Sequence, residues 1–255
     1  MIQKVVIIGA GNVATHLGKA IKNAGFQILQ IVSRTENSAR ALGTILGVPF
    51  TSSKGELNKE ADLYIVSVKD DAIVSALTTF SLPENALVVH TAGSVPMEIL
   101  KDFSANIGIL YPLQTFSKQK NVNFKEIPVY IEANNEDNAS RLLLFANAFS
   151  DRAKEVNSEN RAHVHLAAVF ACNFSNHLYS IASDILEKAG LSFDDMLPLI
   201  SETTEKIKVL HPRKAQTGPA IRRDSKVIEK QINALEGREK QIYKLITESI
   251  QDEKL

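Results

Sequence analysis

The sequence predicts an α/β protein: a mostly parallel β-sheet with helices on its faces, followed by an all-α C-terminal region. Three observations carry the prediction. Short apolar runs alternate with helical patterns through about residue 150, the arrangement that builds a parallel sheet with right-handed crossovers. The first of these runs opens into a glycine-punctuated turn and then a helix. Past about Asp151 no strand pattern recurs, and the remaining periodicity is helical. The division expected is residues 1–152 for the sheet region and 153–255 for the helical region.

The opening stretch organises the rest. Val5-Val6-Ile7-Ile8 reads as a buried strand, Gly9-Ala10-Gly11-Asn12-Val13-Ala14 as the turn, and Leu17, Ala20, Ile21 and Ala24 as the apolar face of a helix ending at Gly25. Gly9 permits the tight turn, Gly11 lacks the Cβ that would hold a diphosphate off the backbone, and Ala14 stands where a third glycine allows close helix–strand packing. From Val13 the pattern is helical, so the helix N-terminus points at the turn, and Asn12 and Val13 are candidate cofactor contacts there. A glycine turn can also be a plain strand–helix connection. Between a strand and a helix at the head of the chain, this one reads as a Rossmann-type dinucleotide site.

Phe26–Val32 follows as the second strand and ends in Ser33-Arg34, about twenty residues past Ala14, where NAD-binding chains usually place an acid for the ribose hydroxyls. Here a hydroxyl and a guanidinium stand instead. Arginine offers a bidentate fork to a 2′-phosphate that a carboxylate would repel, so the expected cofactor is NADP. Asn37–Gly47 reads as a short helix, Val48-Pro49-Phe50 as a third strand, and Leu63–Val68 as a stronger one. Lys69-Asp70-Asp71 then leads into a helix reaching about Thr79, with either aspartate able to cap it. Leu87–His90 is a further strand before Thr91-Ala92-Gly93-Ser94 and a helical Met97–Phe103. Ile107–Leu110 and Val129–Ile131 complete the set.

In such sheets ligands lie beyond the strands' carboxyl ends. That rule selects the loops Ser67–Asp71, Thr91–Ser94 and Tyr111–Phe116, with Ser67, Val68, Lys69, Thr91 and Gly93 for the cofactor and Ser94 and Gln114 as neighbours on the substrate side. Gly93 reads equally as a simple turn glycine, and His90 as a strand-end residue with a local partner.

The helical region is read as Ser158–Ala189, Asp194–Leu210, Lys226–Leu235 and Arg238–Ile250. Val164–Phe174 is apolar on nearly all sides, which predicts burial by more than one neighbour and hence a homodimer packed through it. The one cysteine, Cys172, lies in that run and reads as a buried thiol. At 100° per residue, His165, Asn176 and Ser183 fall on nearly one face, with Asn173 and Ser180 beside it. Such polar groups often satisfy one another; as a set they are candidates for holding a reacting carbonyl or hydroxyl. The loop His211–Asp224 carries four cations around a Gly-Pro turn, and Thr217, Arg222 and Arg223 are its candidate anion ligands. It reads equally as a solvated connection.

Charge and composition narrow the partners. Lys plus Arg and Asp plus Glu each total 29, with 13 of each sign in residues 1–150 and 16 of each in 151–255. Neither half has the basic excess that a nucleic-acid surface needs. No run of about eighteen apolar residues and no signal-like N-terminus is present, so a cytoplasmic protein without a membrane partner is expected. No metal site is expected.

The motifs Gly9–Ala14, Ser67–Asp71, Thr91–Ser94, Pro112–Phe116, His165–Asn173 and Thr217–Arg222, in this order, resemble a bacterial family of NADP oxidoreductases with a Rossmann-like N-terminal domain and a helical C-terminal domain of unknown function. More distantly the chain resembles deazaflavin-dependent NADP oxidoreductases, pyrroline-5-carboxylate reductase, and the β-hydroxyacid and phosphogluconate dehydrogenases. The resemblance implies hydride transfer between NADP(H) and a small anionic carbonyl, imine or hydroxy compound. The hydroxyacid branch uses a helix lysine four residues before an asparagine. Asn173 matches the asparagine, but the lysine position holds Val169, which leaves His165 as the substitute acid or base. The alternative is a non-catalytic NADP(H)-binding regulator whose helical half serves a partner protein.

Overall fold

The computed structural model describes residues 1–53 and 55–252. By its internal contacts the chain divides into two compact units, Met1–Cys172 and Asn173–Leu255. In the first, β1 (Lys4–Ile8), α1 (Asn12–Asn23), β2 (Gln27–Val32), α2 (Glu36–Leu46), β3 (Phe50–Thr51), β4 (Leu63–Val66), α3 (Ile73–Leu77), β5 (Leu87–His90), β6 (Asn106–Pro112), β7 (Val129–Ala133), α4 (Glu136–Asn147), β8 (Ala153–Glu155) and α5 (Ser158–Ala168) follow in order. The strands form one sheet in the order β3-β2-β1-β4-β5-β6-β7-β8. All neighbours are parallel except β6 and β7.

Why the central strands are apolar throughout is visible in their burial. Val5 and Ile7 join one core with Ala14, Leu17 and Ile21 of α1. Val6 and Ile8 join a second core on the opposite face with Ile73 and Leu77 of α3. A strand covered on both faces has no polar side, so its sequence reads as a continuous apolar run. Gly18 lets α1 and α2 approach, since a Cβ there would lie 2.8 Å from Leu46 Cδ1. Gly47 closes α2 in the left-handed conformation (φ 63°).

Two parts of this unit depart from the sequence reading. A last strand, β8, lies past Asp151, where none was expected; at three residues it is too short to show a period. The unit also extends beyond residue 152 to take in α5. That helix packs on the sheet through Val164, beside Ile109, Tyr111 and Tyr130, and through Arg161.

The helical run continues as a π-helical segment, Val169–Phe174, before α6 (Ser175–Lys188). Its i→i+5 bonding changes the winding, so a face drawn at 100° per residue from His165 does not carry through to Asn176 and Ser183. The apolar run Val164–Phe174 is not buried within one chain: Phe170 is 64% exposed and Leu166 55%. Cys172 is exposed as well, against the expectation of a buried thiol. One chain does not surround a helix that is apolar on every side.

The second unit holds α6, α7 (Leu197–Val209), α8 (Pro212–Ala215), α9 (Ser225–Asn233) and α10 (Gly237–Asp252). Asp224 caps α9 by accepting from the Val227 amide. Ala220 and Ile228 are its buried apolar residues, whereas Leu191, Leu197, Leu199 and Ile207 are each at least half exposed. Among the described residues no helix is long and apolar enough to cross a membrane.

Candidate functional site

The strand order turns between β1 and β4, since β2 lies to one side of β1 and β4 to the other. At such a switch point the two following loops diverge and leave a crevice beyond the carboxyl ends. The glycine turn after β1 lies there. Gly9 has φ 126°, and a Cβ on it would fall 2.0 Å from the Ser67 carbonyl oxygen, so backbone packing with the loop after β4 demands glycine. Gly11 differs: a Cβ on it would meet nothing within 4 Å. No atom of the described residues uses that space, and a ligand can approach the backbone there. Gly11 also caps α1 without a side-chain bond, and α1 has no acid in its first turn. The Asn12 and Val13 amides at its start have no intrahelical acceptor, which leaves a positive helix end facing the turn.

These features fit the diphosphate of a dinucleotide, and Ser33 and Arg34 fit its 2′-phosphate end. Both follow β2 directly, next to Thr35, which caps α2. Arg34 is exposed and makes no ion pair among the described residues. Ser67 and Thr91, at the ends of β4 and β5, are buried and joined by a 3.2 Å bond from the Thr91 hydroxyl to the Ser67 hydroxyl. Ser94 donates to Asp70 Oδ2 at 3.0 Å, tying the loop after β5 to the loop after β4, which also contains Val68 and Lys69. Gln114 is exposed, and its own side chain accepts from the Thr115 amide.

Beside these loops the structure joins the selected His165 and Gly93 to residues given no role in the sequence reading of the site. Tyr111, at the carboxyl end of β6, lies 3.0 Å from His165 Nδ1 through its hydroxyl. Both rings pack on Gly93, where a Cβ would stand 2.6 Å from His165 Nδ1 and 2.7 Å from Tyr111 Cζ. Gly93 is therefore glycine because two side chains occupy its Cβ space. Burial pushes the Tyr111 phenol up to about 12, so it stays protonated. His165 Nε2 has no hydrogen-bond partner among the described residues.

The loop under this pair is held from two sides. His90 is fully buried; its Nδ1 accepts from the Ala92 amide and its Nε2 donates to the Pro96 carbonyl at 3.3 Å. Burial holds this imidazole down at about 4, in the neutral form that can make both bonds. From the other side Arg161, 1% exposed, donates through Nε to the Gly93 carbonyl and through Nη2 to the Val95 carbonyl. Its Nη1 is ion-paired with Glu132 on β7. Glu132 in turn accepts from the Ser158 amide and hydroxyl at the start of α5. Arg161 precedes His165 by one helical turn, so fixing the arginine orients the histidine. The only sequence signal was their spacing of four on a capped helix.

The remaining selected residues lie in the second unit. Asn173 and Asn176 are exposed on the helical run. Thr217 and Arg222 are exposed in the segment between α8 and α9, and Arg222 makes no ion pair among the described residues. Arg223, also exposed, has φ 54° and donates through Nη2 to the Gln251 carbonyl near the end of α10.

Comparison with known proteins bears on the family and the fold. Residues 4–93 match the family described as NADP oxidoreductase, coenzyme F420-dependent, and residues 127–250 match a domain of unknown function. No match is found among curated proteins. The crystal structure of BF3122 from Bacteroides fragilis, a "putative NADP oxidoreductase", is 46% identical over 98% of each chain, with a TM-score of 0.94. A pyrroline-5-carboxylate reductase from Streptococcus pyogenes shares the fold at 14% identity over 98% of each chain, with a TM-score of 0.65. An imine reductase from Myxococcus stipitatus, solved with NADP+, does so at 14% identity over 97% of this chain and 91% of that one, with a TM-score of 0.61. With nearly half its residues shared along the full length of the Bacteroides protein, and an N-terminal region that matches the oxidoreductase model, the chain belongs to this NADP oxidoreductase family.

Proposed function

We propose that the protein reduces a small anionic carbonyl or imine, or oxidises the corresponding hydroxy or amino compound, with NADP(H) as the hydride carrier. The observation that carries this reading is the Tyr111–His165 pair on Gly93, set beside the loops that would receive the dinucleotide. NADPH, when bound, supplies the hydride; the protein must supply the matching proton and hold the acceptor. With the Tyr111 phenol donating to Nδ1, the His165 imidazole carries its proton on Nε2 and presents it to the oxygen or nitrogen being reduced. Gly9, Gly11, Asn12 and Val13 take the diphosphate, and Ser33 with Arg34 takes the 2′-phosphate. Ser67, Val68, Lys69, Thr91 and Gly93 line the nicotinamide side, with Ser94 and Gln114 toward the substrate. Asn173, Asn176, Thr217, Arg222 and Arg223 are the proposed ligands for the substrate's polar atoms and negative charge.

The exposed apolar residues of the helical region support a homodimer that covers them, which we place in the cytoplasm. Sedimentation at micromolar concentration should give twice the chain mass, and a monomer would remove the proposal. Absorbance at 340 nm, followed against a panel of keto acids, cyclic imines and a deazaflavin, tests the chemistry. His165→Ala should lower turnover on the active substrate about a hundredfold while NADPH affinity stays near that of the parent. Tight NADPH binding with no turnover across the panel would favour a regulator instead.

A further inference from the structure

The segment after β6 turns back over the glycine turn and is fastened to it. Asn12 Nδ2, on the first residue of α1, donates to the Phe116 carbonyl at 2.8 Å. One turn later His16, 4% exposed, lies 2.9 Å from the Ser117 carbonyl through Nε2, and its ring stacks on Phe116 with centroids 5.1 Å apart. A carbonyl only accepts, so His16 carries its proton on Nε2. The next residue, Lys118, extends its ammonium to within 3.0 Å of the Ala10 carbonyl, between Gly9 and Gly11.

An ammonium has three N–H donors, and the Ala10 carbonyl uses one. Lys118 has no carboxylate partner among the described residues. A free cation is thus moored over the turn where Gly11 leaves open space and α1 presents its positive end. We infer that Lys118 is a binding residue for the diphosphate of the dinucleotide, and that Phe116–Lys118 forms a strap holding this charge over the glycine turn. The inference rests on the reading of that turn as a dinucleotide site. Nothing in the glycine motif announces it, because the strap comes from more than a hundred residues later in the chain.

Lysine suits this position better than a preformed ion pair would. Its point charge reorients around a carbonyl anchor, so the two remaining donors can reach a diphosphate oxygen without moving the strap. The strap's own anchors, Asn12 and His16, do not involve the ammonium, so shortening Lys118 should leave the segment in place.

Calorimetric titration of the full-length protein with NADPH and with NADH tests the inference, using Lys118→Met and Lys118→Arg beside the parent. Lys118→Met should weaken both nucleotides by the same factor, about 5- to 20-fold, because the diphosphate is common to them. Lys118→Arg should recover most of the loss, and the slope of log Kd against log salt should fall in Lys118→Met. Thermal midpoints of the three proteins should agree within a degree or two. Unchanged or tighter binding by Lys118→Met would overturn the inference, as would a loss confined to NADPH, which would place the ammonium on the 2′-phosphate. Absence of heat from the parent with either nucleotide would instead remove the dinucleotide reading itself.

Discussion

Glu132→Gln isolates what the buried ion pair contributes. The substitution keeps the side chain's shape and one acceptor oxygen but removes the charge opposite Arg161, which is 1% exposed and has no other carboxylate partner among the described residues. Removing one partner of a buried pair costs about 3–5 kcal/mol, because the remaining charge is left desolvated and uncompensated. Glu132 keeps 12% of its side chain in solvent, and the Gly93, Val95 and Ser158 oxygens still accept from the guanidinium, so the low end, about 3 kcal/mol, applies. At about 2–4 °C per kcal/mol for a chain of this size, the thermal midpoint should fall by about 6–12 °C in scanning calorimetry near neutral pH. The double variant Glu132→Leu with Arg161→Met should be less destabilised than the sum of its single changes, since neither charge is then stranded. A fall below about 1 kcal/mol for Glu132→Gln, or strict additivity in the double variant, would refute the assignment of this pair as the clamp on the loop after β5.

Other expectations follow from the same site. Gly93→Ala drives a methyl into Tyr111 and His165, so it should cost about 1–3 kcal/mol of stability and lower turnover about tenfold or more; a variant with parental kcat would show that the pair's geometry is irrelevant to the reaction. Arg34→Ala should weaken NADPH well over tenfold and NADH little in fluorescence titrations, whereas equal losses would count against the 2′-phosphate role. His90 sets a pH dependence. Its imidazole titrates at about 4 when folded and near 6.5 when unfolded, so the unfolded chain gains the proton first as pH falls. Its contribution is complete above about 6.5 and is lost toward pH 4, by up to about 3 kcal/mol. Urea denaturation between pH 7.5 and 4.5 should show a steeper loss for the parent than for His90→Gln, and parallel curves would exclude His90 as the cause.

The local features were legible from the residues alone. The glycine turn, the strand endings at Ser33 and Thr91, the helix stop at Gly47 and the local partner of His90 each depend on a few neighbouring positions whose chemistry has one economical use. The π-helical turn was not legible, since nothing in Val169–Phe174 distinguishes i→i+5 from i→i+4 bonding, and it altered the polar face drawn through His165. Cys172 was misread for a related reason: an apolar neighbourhood in sequence says what would favour burial, but a single chain does not provide it.

What the sequence by itself determined is a doubly covered parallel sheet and the location of the glycine turn after its first strand, because periodicity and glycine placement act over one strand and one helix. Only the tertiary structure decided which side chains meet there. Tyr111 reaches His165 across 54 positions, Arg161 reaches Glu132 across 29, and Lys118 reaches Ala10 across 108. Such contacts follow from strand order and crossover packing, which fold distant segments onto one sheet edge. No local pattern encodes them, because a tyrosine or lysine at a strand's end has the same local preferences whether or not a partner arrives.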